Sequence, residues 1–149
     1  MPSLELNGGI CLFHKVTMTE KTNTNKSVDQ KQKSLQDAIV TAQVCDEYRG
    51  RDTVILDLRE VTPVFDFFVI TTGNVRRQLH AIADEVDRVL QERGSKRIGL
   101  EGYRGEGNWV LQDYGDIVLH VFTEETRKLY DLENLWADGV QIDWKKTSN

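Results

Sequence analysis

The residue types able to carry metal or nucleophilic chemistry are few in this chain of 149 residues, and their spacing does not assemble a centre. His14, His80 and His120 fall in a polar lead, on a helical pattern and on a strand pattern, with no second His or Cys at ligand spacing beside any of them. Cys11 and Cys45 are too few for a disulfide framework or a four-ligand zinc site, and they point to a reducing compartment. Cys45 sits on a helical apolar stripe, where a thiol without a cationic neighbour is inert. His120 shares a strand face with Val118 and Phe122 while Ile117, Leu119 and Val121 point the other way, so both faces are covered, which predicts a hydrogen-bonded structural histidine. Carboxylates for two-metal chemistry should share one strand face. Asp57 is instead followed by Arg59, and Asp113 and Asp116 flank a turn, so no such pair is present. The turn Thr72-Gly73-Asn74, with Arg76 and Arg77 just beyond, has the place but not the full pattern of a phosphate-binding loop. The segment from Gly102 to Gly107 lacks the Lys-Ser/Thr ending of a P-loop and reads as a connector.

What remains conspicuous is a set of aromatics among acids: Trp109, Tyr114, Tyr130 and Trp136 with Asp113, Asp116, Glu124, Glu125 and Asp131. Large rings of this kind anchor protein interfaces. Charge points the same way. The chain carries a net charge of −5, yet residues 1 to 33 hold five Lys against Glu5, Glu20 and Asp29, so the remainder carries −7. Residues 101 to 138 alone hold nine acidic and three basic side chains. A protein that grips nucleic acid mainly through phosphates shows the opposite sign. The acidity serves solubility in any case, and its concentration beside the aromatics favours a basic protein partner.

The elements that must position these residues follow from periodicity. Residues 1 to 33 hold a polar lead, with Thr17 to Lys33 almost free of apolar residues, and are expected to be a disordered extension. Ile10 to Phe13 is too short for a secretory signal. Ser34 is placed to cap a helix with apolar positions Leu35, Ala38, Ile39, Ala42 and Cys45, closed by Gly50. Two strands, Thr53 to Leu58 and Phe67 to Thr72, are placed to pair antiparallel. An amphipathic helix bearing Leu79, Ile82, Ala83, Val86, Val89 and Leu90 follows and stops at Gly94. Arg97 to Leu100, Trp109 to Asp113 and Asp116 to Phe122 read as three more strands, the last two forming a tight hairpin. Thr123 is placed to cap a final helical stretch that breaks near Asp131 and runs to Trp136. The pattern predicts one α/β (α+β) domain, a mixed five-stranded sheet flanked by helices, over residues 34 to 138, with residues 139 to 149 as a C-terminal tail. No apolar run approaches the ~20 residues that span a bilayer.

Asp66-Phe-Phe-Val-Ile70, Thr72-Gly73 with Arg77-Gln78, Glu101-Gly102, Trp109-Val-Leu-Gln-Asp113, Gly115-Asp116-Ile-Val-Leu-His120-Val-Phe122 and Arg127-Lys-Leu-Tyr-Asp-Leu-Glu-Asn-Leu-Trp136 follow one pattern in order. Over residues 34 to 138 the chain resembles the ribosomal silencing factor (Iojap-like) family. The family usually has a serine where this chain has Val75. The resemblance implies a nucleotidyltransferase-like sheet without that superfamily's catalytic acids, and a non-enzymatic, cytoplasmic role with neither cofactor nor metal. It implies binding to the large ribosomal subunit through the ribosomal protein numbered fourteen on the intersubunit face, which blocks joining of the small subunit and represses translation. A homodimer is one arrangement consistent with the family. Carried onto matching positions, the expected partner contacts are Trp109 and Tyr130, with Asp113, Asp116 and Glu125 as acidic neighbours. The alternative is a nucleotidyltransferase-like enzyme or nucleotide-binding protein using Gly73 and nearby carboxylates.

Overall fold

The computed structural model describes residues 28–105 and 107–145; His14, Cys11 and the lead up to residue 27 lie outside the described residues. Helix α1 (Val28–Glu47) leads into strands β1 (Arg51–Asp57) and β2 (Phe67–Gly73), then helix α2 (Arg76–Glu92). Strands β3 (Gly99–Glu101), β4 (Trp109–Asp113) and β5 (Ile117–Thr123) follow, then short helices α3 (Glu124–Tyr130) and α4 (Leu132–Leu135) and strand β6 (Val140–Ile142). The six strands form one mixed sheet ordered β3-β4-β5-β2-β1-β6. Only β2 and β5 run parallel, in register from Phe67 opposite Ile117 to Gly73 opposite Thr123. The other neighbours are antiparallel, including the expected β1–β2 pair. No helix among the described residues is long and apolar enough to cross a membrane.

Strand alternation divides the core in two. Ile55, Phe67, Val69, Val110, Leu119 and Val121 face α1 and α2, whose stripes supply Ala38, Ala42, Cys45, Leu79, Ile82 and Val86. Leu56, Phe68, Ile70, Trp109, Leu111, Val118 and Phe122 face the other way, towards Val64, Phe65 and Leu132. Burying a polar residue in such a core requires a partner. Gln112 has one in the Ala83 carbonyl, to which its Nε2 donates at 2.9 Å.

Two boundaries differ from the sequence reading. Residues 28 to 33 are helical, and Ser34 lies inside α1, where its hydroxyl donates to the Gln30 carbonyl and to Asp116 Oδ2. Polar docking holds this turn: Gln30 Nε2 also reaches Asp116, and Lys33 Nζ reaches buried Asp37 at 2.8 Å, beside Arg93 at 2.6 Å. An expectation based on apolar burial alone misses such contacts. The supposed tail likewise joins the fold. β6 adds a sixth strand to β1, and Trp144 packs into the helix-side core with its Nε1 donating to the Thr53 carbonyl at 3.0 Å.

Gly50 is needed for proximity rather than for an unusual φ, since the left-handed residue is Arg49. A Cβ on Gly50 would strike Thr71 Oγ1 and come 2.8 Å from the Cys45 carbonyl oxygen. Cys45 is fully buried, and loss of hydration pushes its thiol pKa up to about 12. In a Cys11→Ser background, Cys45 should react with a disulfide reagent at pH 8 about a hundredfold more slowly in the folded protein than in denaturant. Equal rates in the two states would show that this helix is not packed as described.

Candidate functional site

The chemistry gathers on the sheet face turned away from α1 and α2. Phe68, Trp109, His120 and Phe122 are brought together by the β2–β5 and β4–β5 registers, and α3 and α4 lay Tyr130 and Trp136 against them. Ring centroids are 4.5 Å apart for Trp109–Tyr130, 4.8 Å for Trp109–Phe122, 4.7 Å for Phe68–His120 and 5.6 Å for Phe68–Trp136. Tilted and edge-on pairs of this kind add to the energy of simple burial. Trp109 Nε1–H donates to His120 Nδ1 at 3.2 Å, so the imidazole proton is assigned to Nε2. The structural role expected for His120 is thereby seen in its geometry.

Besides Tyr130, an arginine fastens helix α3 beside this face. Arg127, whose side chain is only 11% exposed, meets Glu133 at 3.1 Å and donates to Thr72 Oγ1 at 2.9 Å. It therefore ties α3 to α4 and to the end of β2. Asp131, between the two helices, adopts a left-handed φ of 46° that breaks the helix where the sequence suggested. Thr123 occupies the N-cap position of α3, but its hydroxyl donates to Thr126 Oγ1 at 2.9 Å instead of capping the backbone. The outer surface of this unit combines exposed Leu129 and Leu135 with exposed Glu124, Glu125 and Asp131.

The structure brings together some of the residues singled out from sequence and separates others. Trp109, Tyr130 and Glu125 lie at one end of the β4–β5 hairpin. Trp109 is buried beneath the ring cluster, whereas Tyr130 is partly exposed and Glu125 exposed. Asp113 and Asp116 lie at the other end of the hairpin, and four strand residues span ~13 Å. Asp113 does not act as a surface acid. It is 0% exposed, and its Oδ1 accepts the Gly115 N–H at 2.7 Å, which shapes the turn. Asp116 is half-buried and braces α1 through Ser34 at 2.8 Å and Gln30 at 3.1 Å. Side-chain–backbone turns of this kind are common at Asp, but the burial comes from the surrounding fold.

The residues considered for metal or phosphate chemistry are occupied differently. Burial would raise the Asp57 pKa, but two side-chain hydrogen bonds and a backbone one from Arg59 hold it below the usual value. Among the described residues no group of three His, Cys, Asp or Glu is arranged to hold a metal ion. At the Gly73 turn, Gln78 Oε1 accepts the Asn74 N–H at 2.6 Å while its Nε2 donates to the Tyr48 and Arg49 carbonyls. Val75 stands at the N-cap of α2 with an extended backbone and no side-chain cap.

This is a single α+β domain whose distinctive chemistry is an aromatic face rimmed by acids. The chain belongs to the ribosomal silencing factor family: the family model described as "Ribosomal silencing factor during starvation" matches residues 31–149. It is 39% identical over 104 residues to the ribosomal silencing factor RsfS of Bacillus subtilis, covering 70% of this chain and 87% of that one. A crystal structure of a Chromobacterium violaceum protein aligns with a TM-score of 0.66 and 34% identity, over 69% of this chain and 85% of that chain. A more distant relative is the mouse protein named mitochondrial assembly of ribosomal large subunit protein 1, 32% identical over 91 residues, 59% of this chain and 40% of that one.

Three variants at two positions test the local geometry. Val75→Ser supplies the missing cap and should raise stability by ~1 kcal/mol, about 3 °C in Tm. Trp109→Ala should cost ~3 kcal/mol or more, and Trp109→Phe only about 1 because ring packing survives loss of the bond to His120. Equal melting temperatures for wild type and Trp109→Ala would place that ring outside the core.

Proposed function

We propose that this protein acts without catalysis, by binding the large ribosomal subunit through the ribosomal protein numbered fourteen on its intersubunit face. A folded body seated there occupies space needed by the small subunit, so mass action opposes joining and translation falls. The proposed site of action is the cytoplasm. The observation that carries the reading is the unit of α3 and α4, which presents Tyr130, Leu129 and Leu135 among Glu124, Glu125 and Asp131. Apolar groups among mostly acidic side chains, with the exposed Lys128 already facing Glu124 at 3.9 Å, suit a partner rich in Lys and Arg, the rings supplying affinity and the acids steering approach. Membership of the silencing-factor family supports the same reading, as does the name of the mouse relative, which concerns assembly of the ribosomal large subunit.

Within this reading Tyr130 and Glu125 are contacts, and Trp109 supports Tyr130 from beneath. Asp113 and Asp116 are not included. Tyr130→Ala should weaken binding to purified large subunits about thirtyfold while the fold stays cooperative and Tm falls less than in Trp109→Ala, and Glu125→Gln should weaken it by less than tenfold with a reduced response to salt and little change in Tm. Sedimentation with large subunits, small subunits and joined ribosomes reads the outcome. Unchanged large-subunit affinity in Tyr130→Ala would remove α3 from the contact, and equal affinity of the wild type for joined ribosomes would remove the steric mechanism.

A further inference from the structure

Within the acidic remainder that follows residue 33, residues 76 to 104 form a net-basic stretch, with seven Arg or Lys against five Asp or Glu. Its carboxylates are largely engaged. Asp84 accepts the Tyr103 hydroxyl at 2.9 and 3.0 Å, Asp87 takes Tyr114 and Arg97, and Glu85 and Glu92 both hold Arg88 at 2.7 Å. Arg76, Arg77 and Arg104 are exposed, and among the described residues none of the three is paired with a carboxylate.

These arginines are presented on a braced rim. His80 lies one helical turn beyond Arg76 and Arg77 and stacks on Tyr103, with centroids 4.0 Å apart and planes 5° from parallel. The stack and the Asp84 bond fix Tyr103, the residue beside Arg104. Gly102 has a φ of 76°, and a Cβ there would run into the Trp109 carbonyl; a Cβ on Gly107 would come 2.5 Å from the stem of Arg76. The connector therefore packs on α2 at one end and on β4 at the other, where it borders the aromatic face.

We propose that Arg76, Arg77 and Arg104 form a second docking surface, which takes the phosphodiester backbone of RNA. Guanidinium forks bind phosphate oxygens in two directions, and the flat His80–Tyr103 pair offers a ring for a neighbouring base. The proposal rests on the large-subunit reading only for the source of the RNA: the acidic, aromatic side would meet protein while this rim meets ribosomal RNA beside it. Contact with three phosphates of single-stranded RNA gives a slope of about −2 in log K against log salt.

The test compares the full chain, the triple variant Arg76→Gln, Arg77→Gln, Arg104→Gln, and its lysine counterpart, on protein-free large-subunit ribosomal RNA and on purified large subunits. The glutamine variant should keep the wild-type Tm, flatten the salt slope on RNA by about two units and weaken subunit binding about tenfold or more, with lysine restoring most of the slope. Binding of wild type to free RNA with this slope, but not to large subunits, would support the RNA surface and reject the function proposed above. Unchanged slope and affinity in the glutamine variant would overturn the RNA surface alone. Loss on subunits, with no salt-dependent binding of wild type to free RNA, would also overturn it and assign the rim to an acidic protein.

Discussion

Everything in this molecule hangs on the parallel pairing of β2 with β5. These strands lie at the centre of the sheet and are buried almost throughout, and their register sets both faces at once. At their start, the Asp116 carbonyl accepts the N–H groups of Asp66 and Phe67 at 2.8 and 3.1 Å, locking the entry into β2 to the hairpin before β5. At their end, β2 turns into α2 and β5 into α3, and Arg127 reaches back from α3 to Thr72. A one-residue slip in this pair would exchange the residues facing the helices with those of the aromatic face.

Much of this architecture was legible because periodicity reports burial directly. The amphipathic stripe of α2, the two-sided cover of β5 and the break at Asp131 are local signals, and the structure realises them. Features set by pairing were not legible. Val140–Ile142 is only three residues long and becomes a strand because β1 offers it an edge, with Gly139 too close to Leu58 Cδ2 and the Asp57 carbonyl to carry a side chain. The first turn of α1 is polar and is held by Asp37 and Asp116, residues remote from it in kind if not in space. Charge in a turn is equally mute about exposure. Asp113 and Glu125 look alike in sequence, yet one shapes a hairpin from inside and the other meets solvent.

The two faces of the sheet serve different ends. The helix-side face is sealed by two long helices and by Trp144, with Gln112 satisfied by a helix carbonyl inside it. The opposite face is built from rings and covered at one end by two short helices hinged at Asp131. An aromatic layer can be stiff with little helical cover, because edge-on and tilted contacts fix orientation as well as distance. Trp109 contributes to that stiffness from below, and the groups able to meet a partner lie in the layer above it.

The central pairing also has a kinetic meaning. Phe67 and Ile117 are separated by a long intervening chain, so closing the β2–β5 pair carries a large loop entropy, whereas the β4–β5 hairpin and α2 need only near neighbours. The rings of the aromatic face are divided by that closure: Phe65 and Phe68 belong to the β2 side, and Trp109, His120, Phe122, Tyr130 and Trp136 to the hairpin and the helices that follow it. The part built on the β4–β5 hairpin, Trp109 with His120, Phe122 and Tyr130, can form locally, but the complete face requires β2 to pair with β5. Its appearance is tied to the slowest contact in the topology, which makes it a marker of completed folding.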